Sequence, residues 1–106
     1  MKSIKSNKAF KTIYKQGKRY ASAIGQIFAL PAEEFKVGIV VNRKIGNAVK
    51  RNRAKRRIKE AMRKQNIPAQ LIVKANETVD NLSFKDIVDG IKNSIERIKI
   101  DQINNY

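Results

Sequence analysis

The chain has 106 residues, one domain's worth, with 42% hydrophobic residues and a formal net charge of +15. Cysteine and histidine are both absent, which excludes zinc fingers and knuckles, thiol chemistry and imidazole catalysis and removes any argument for an oxidising compartment. No apolar run approaches the roughly twenty residues of a membrane span and the N-terminus lacks a signal-peptide core, so the expectation is a soluble cytoplasmic protein whose partner is a polyanion.

The charge falls in blocks. Residues 1–20 carry seven Lys or Arg and no acid, and residues 42–65 carry a net +10; residues 21–41 and 66–106 are each close to neutral. The positive field is therefore local. Ser6 can cap a short helix from Asn7 to about Gln16, with Gly17 as its stop. On it Phe10, Ile13 and Tyr14 share one face and Lys8, Lys11 and Lys15 the other. Two aromatics four residues apart either pack on a sheet or remain partly open as a platform for unpaired bases.

Lys18 to Ala23 reads as a short strand and Gln26 to Leu30 as a better one. After the turn at Pro31–Glu34, Phe35 to Val41 is the strongest strand, rich in β-branched residues. The short connection predicts that these last two strands pair antiparallel. Phe28 belongs either to the core or to an open sheet face.

The next segment, Lys44 to Met62, places six cations in the eight positions 50–57. Gly46 breaks the strand, Asn47 is a good N-cap, and helix is predicted from Ala48 to about Gln65. Ala54, Ile58, Ala61 and Met62 form its apolar stripe, with Arg51 on the same side near a cleft edge. Asn52, Arg53, Arg56 and Arg63 lie opposite. Glu60 is the only acid between Asn42 and Gln65. Like charges at helical spacing repel, and cations in the first turns oppose the helix dipole. Phosphates would reverse both penalties through counterion release.

Leu71-Ile72-Val73 then reads as a short buried strand and Asn76 to Leu82 as a polar turn. Ser83 caps a final helix whose stripe is Phe84, Ile87, Val88, Ile91, Ile95 and Ile98. Asp101 to Tyr106 is expected to be a frayed tail. The order α-β-β-β-α-β-α makes one α+β domain over residues 1–106. There is no Gly-rich phosphate loop, and the nine carboxylates are scattered without metal-ligand spacing. Rival readings of such a chain are a ribosomal or assembly protein that binds structured rRNA, and a basic-helix DNA-binding protein.

Lys44-Ile45-Gly46-Asn47-Ala48-Val49, followed by Arg51-Asn52-Arg53 and Lys55-Arg56, resembles the contiguous K-[VI]-G-N-A-V-x-R-N-R-x-K-R motif of the bacterial ribonuclease P protein family. Phe10 to Gly17 is similar to that family's first helix, and Lys36 to Val41 to its third strand. The resemblance implies a two-layer, ribosomal-protein-like fold with a four-stranded sheet. Its strand-helix-strand crossover would be left-handed, against the usual rule. It further implies a protein that assists an RNA catalyst in cutting the 5′ leader from precursor tRNA, with Mg2+ held mainly by that RNA and no catalytic residue or bound cofactor of its own. Its partners would be the catalytic RNA and precursor tRNA, with no membrane and no obligate protein partner.

Carried over, Arg51, Asn52, Arg53, Lys55 and Arg56 would contact RNA, with Arg43 and Lys44 adding charge where sheet meets helix. Asn47, Lys50 and Lys59 complete the RNA-binding set. Phe10, Tyr14 and Phe28 would line the leader cleft. The chain departs from the family in having Tyr14 where Phe is usual, Arg43 where Lys is frequent, a short loop after the basic helix, and Lys74-Ala75 in place of Ala-Arg.

Overall fold

A computed structural model describes residues 1–104 of the chain. The elements are β1 (Lys2–Ser3), α1 (Asn7–Gln16), β2 (Lys18–Ser22), β3 (Gly25–Pro31), β4 (Lys36–Val41), α2 (Ala48–Met62), β5 (Ala69–Ala75) and α3 (Phe84–Asn104). Short 3-10 turns at Arg43–Ile45 and Glu77–Asn81 lead into α2 and α3. One mixed sheet runs in the order β1-β4-β5-β3-β2. It has five strands rather than the expected four, because Lys2 and Ser3 pair in parallel with Lys36 and Val37. A two-residue strand leaves no periodicity to read.

The expected antiparallel pairing of the third and fourth strands does not form. Both instead flank β5, β3 antiparallel to it and β4 parallel. The chain is steered there at Pro31, which lies opposite Ala69, and at Ala32, whose N–H donates to the Pro68 carbonyl at 3.0 Å. β5 is longer than the Leu71–Val73 core expected of it, since the small Ala69 and Ala75 are buried at its ends. The parallel pair β4 and β5 needs a crossover, and α2 supplies it.

Alternation along the strands divides the side chains between two faces. Ile27, Ala29, Val37, Leu71 and Val73 point into the main core with Ala54, Ile58, Ala61 and Met62 of α2 and Ile87, Ile91, Ile95 and Ile98 of α3. All four predicted stripe residues of α2 are thus buried. On the opposite face α1 covers only part of the sheet, and a smaller cluster forms from Ile4, Ile13 and Ile72 with half-buried Phe10, Phe28, Leu30 and Val40.

Local caps set the ends of the helices. The Ser6 side chain accepts from the Ala9 N–H, Asn47 from Lys50, and Ser83 from Asp86. Gly46, at φ 135°, occupies a backbone region that favours glycine and lets the chain leave the Arg43–Ile45 turn for α2. α2 ends at Met62, about a turn short of the expected Gln65. The predicted frayed tail is corrected for residues 101–104: α3 continues through them. Asp101 is tied to β2, accepting from Lys18 Nζ at 2.6 Å and from the Tyr20 hydroxyl at 2.7 Å. Residues 105 and 106 of that predicted tail lie outside the described residues.

Candidate nucleic-acid interface

On the face under α1, three aromatic rings meet. Tyr14 lies edge-on to Phe28 with centroids 4.8 Å apart, and Phe10 is 6.5 Å from Tyr14 at a tilted 39°. Helical spacing puts Phe10 and Tyr14 on one side of α1, and strand parity puts Phe28 beneath them. The rings are neither sealed nor free. Phe10 and Phe28 are half-buried, and Tyr14 is 37% exposed. Both alternatives for Phe28 are therefore partly met, since it belongs to the minor cluster and remains accessible. Partial burial raises the Tyr14 pKa above its ordinary value.

Gly38 on β4 makes this arrangement possible. A Cβ there would lie 2.6 Å from the Phe10 ring carbon Cζ. Sequence reasoning missed this residue; its signal is a glycine inside a β-branched strand, which marks close approach of another group. It also passed over Arg19 and Lys74. Arg19 lies directly across from Phe28 on β2, and Lys74 across from Gln26 on β5, both exposed on the α1 face. Strand parity alone would have placed them there.

A groove of about 270 Å³ joins this aromatic region to the basic helix. It is lined by Phe10 and Gly38, by Lys55, Arg56 and Lys59 of α2, and by the N-terminal Met1, Ser3 and Ile4. The sequence-predicted cations thus do not act as one set. Arg43, Lys44, Lys55, Arg56 and Lys59 are exposed and have no acid within 4 Å among the described residues. Asn52 is exposed as well. Asn47 is exposed but occupied with capping α2.

The remaining cations have internal partners. Arg51, expected at a cleft edge, is half-buried and folds back so that Nη1 donates to the Gly46 carbonyl at 2.6 Å. Arg53 Nη2 donates to Asp80 Oδ1 at 2.9 Å, and Lys50 Nζ lies 3.9 Å from Asp80 Oδ2. Arg57, half-buried, donates to the Leu82 carbonyl at 2.7 Å. The interface therefore has an inner edge where Arg51 and Arg57 hold the helix in the fold, a half-exposed pair, Lys50 and Arg53, gathered beside Asp80, and an outer flank open to anions.

Among the described residues no three His, Cys, Asp or Glu side chains come together as a metal site, and no helix is long and apolar enough to cross a membrane. The arrangement supplies fixed positive charge, backbone-supported orientation and stacking surface.

The sequence model of the family described as Ribonuclease P matches residues 1–99. A relative from Clostridioides difficile, named Ribonuclease P protein component, is 36% identical over 107 residues, covering 93% of each chain. One of the same name from Thermus scotoductus is 38% identical over 97 residues, covering 87% of this chain and 59% of its own length. The chain spans only 59–64% of the length of the three Thermus relatives it matches first. The Staphylococcus aureus RNase P protein structure superposes with a TM-score of 0.83 at 30% identity, covering 93% of this chain and 96% of that one.

Proposed function

The chain belongs to the ribonuclease P family, and from that premise we propose that it is the protein subunit of the endoribonuclease that removes the 5′ leader of precursor tRNA. The observation that carries this reading is the groove whose lining includes Phe10 and Gly38 together with Lys55, Arg56 and Lys59. An unpaired strand needs stacking faces for its bases and cations for its backbone, and here one groove is lined by both.

In this reading the outer flank of α2, with Arg43 and Lys44, binds the catalytic RNA through phosphate contacts. The leader runs past Phe10, Tyr14 and Phe28. Mg2+ would be held mainly by the RNA and would supply activation of the attacking water, and no bond-breaking step is assigned to the protein's own residues. The protein's own residues neutralise phosphate repulsion between two RNAs and align one strand. That lowers the magnesium needed and favours precursor over mature tRNA, because only the precursor has a leader. The setting is the cytoplasm, and the partners are two RNAs with no obligate protein.

The test is cleavage of precursor tRNA by the cognate catalytic RNA at low magnesium, with and without the protein. Stimulated 5′ processing is expected. No stimulation, with rRNA binding retained, would mean that the chain is an RNA-binding assembly factor instead.

A further inference from the structure

Eleven cations crowd residues 42–65, and the single acid within that stretch, Glu60, pairs locally with Arg63 at 3.2 Å. A second carboxylate reaches the helix from elsewhere. Asp80 sits on the 3-10 turn Glu77–Asn81, with its side chain 20% exposed, and takes Arg53 at 2.9 Å and Lys50 at 3.9 Å. An acid beside a phosphate-binding flank lowers the attraction for every polyanion, so it calls for a compensating role.

Holding the turn in place is not a sufficient one. The Asn76 side chain accepts from the Thr78 N–H at 3.0 Å, Val79 is fully buried, and Arg57 donates to the Leu82 carbonyl at 2.7 Å. The first contact shapes the turn itself, and the other two fix it to the core and to α2, all without Asp80. What Asp80 does alone is orient side chains. Arg53 and Lys50 are three residues apart on one helix face, where like charges splay. A carboxylate between them draws both to one place. Arginine has five N–H donors in a rigid fork, and one Nη on Asp80 leaves further donors on a side chain that is 50% exposed.

We propose that Asp80 is a positioning residue of the RNA interface: it fixes Arg53 and Lys50 so that α2 distinguishes a folded RNA with matching phosphates from an arbitrary polyanion. This rests on the reading of α2 as the catalytic-RNA contact. General attraction is reduced and directionality is gained. The sequence places Asp80 27 residues from Arg53, so no local pattern announces the pair.

The experiment measures affinity of the full chain for the cognate catalytic RNA and for a random-sequence RNA of equal length, at several salt concentrations. Asp80→Asn should tighten random RNA about threefold and weaken the cognate complex about threefold, so that the ratio of affinities falls by about tenfold. Asp80→Glu, which keeps the acceptor, should recover most of the ratio. In an Arg53→Ala, Lys50→Ala background the Asp80→Asn change should leave the ratio within about twofold. A merely structural role would move both affinities together and would not depend on Arg53. An unchanged ratio, equal shifts for both RNAs, or an effect persisting without Arg53 and Lys50 overturns the assignment. A wild-type chain that fails to prefer the catalytic RNA overturns the proposed function and this assignment with it.

Discussion

The two faces of the sheet are built from the same strands and do opposite things. The α2/α3 face is closed by a continuous cluster in which Ile58, Met62, Ile87, Ile91 and Ile95 are all fully buried. The α1 face buries only Ile4, Ile13 and Ile72 and leaves Phe10, Phe28 and Leu30 part-covered. Stability is concentrated on one side, so the other can keep aromatic surface accessible. The incompletely covered face is where binding is expected.

This contrast can be broken most forcefully from the closed side. Ile95→Ala removes a fully buried side chain and should cost about 2–5 kcal/mol, read by urea unfolding, with RNA discrimination intact in the fraction that folds. On the open side, Phe10→Ala should reduce the preference for precursor over mature tRNA by about tenfold, within the usual worth of one stacked base, at a smaller stability cost. Gly38→Val sharpens the point. Its side chain must displace the Phe10 ring, so leader discrimination should fall although no aromatic has been removed; equal precursor binding in the variant would show that Phe10 placement is unimportant.

A gentler test uses pH at the seam between β2 and α3. Burial, followed by the hydrogen bond to Asp101, pushes Tyr20 up to about 12. The folded protein therefore keeps a proton that the unfolded chain gives up at the ordinary value of 10.0. The resulting stabilisation is complete below about pH 10 and declines as pH rises to about 12. Asp101 is lowered by hydrogen bonds from Lys18 and Tyr20, so its contribution holds at neutral pH and is lost in acid as it protonates. Tyr20→Phe should flatten the alkaline limb of a denaturation-midpoint profile. The smallest effect on the fold is expected for Arg56→Ala, whose exposed side chain has no acid partner among the described residues. Unfolding should be unchanged while the salt slope of RNA binding falls by about one.

Elements were legible where side chains repeat with a strong period. The stripe Ala54, Ile58, Ala61, Met62 and the isoleucines of α3 required nothing beyond helical spacing, and the caps at Ser6, Asn47 and Ser83 were plain. Pairing was less so. A short turn after Leu30 favours a hairpin, yet the uninterrupted Leu71-Ile72-Val73 was the better guide, since a strand apolar on both faces belongs in the middle of a sheet. The end of α3 was misjudged because its anchors, Lys18 and Tyr20, lie more than eighty residues away. At the site, the run of cations was visible at once. Which of them face outward depended on Gly46, Asp80 and Leu82, contacts that spacing does not encode.

The position of β5 has a consequence for how the protein comes into being. It is the last strand to be synthesised and the central one in the sheet, so β3 and β4 have no common neighbour until residues 69–75 have been made. Residues 1–65 carry a net charge of +16, and until β5 is made nothing joins the β2–β3 hairpin to β4 and the basic helix that follows it. Closure of the sheet by β5 is therefore the step that sets the aromatic strand β3 and the cationic helix α2 in one frame.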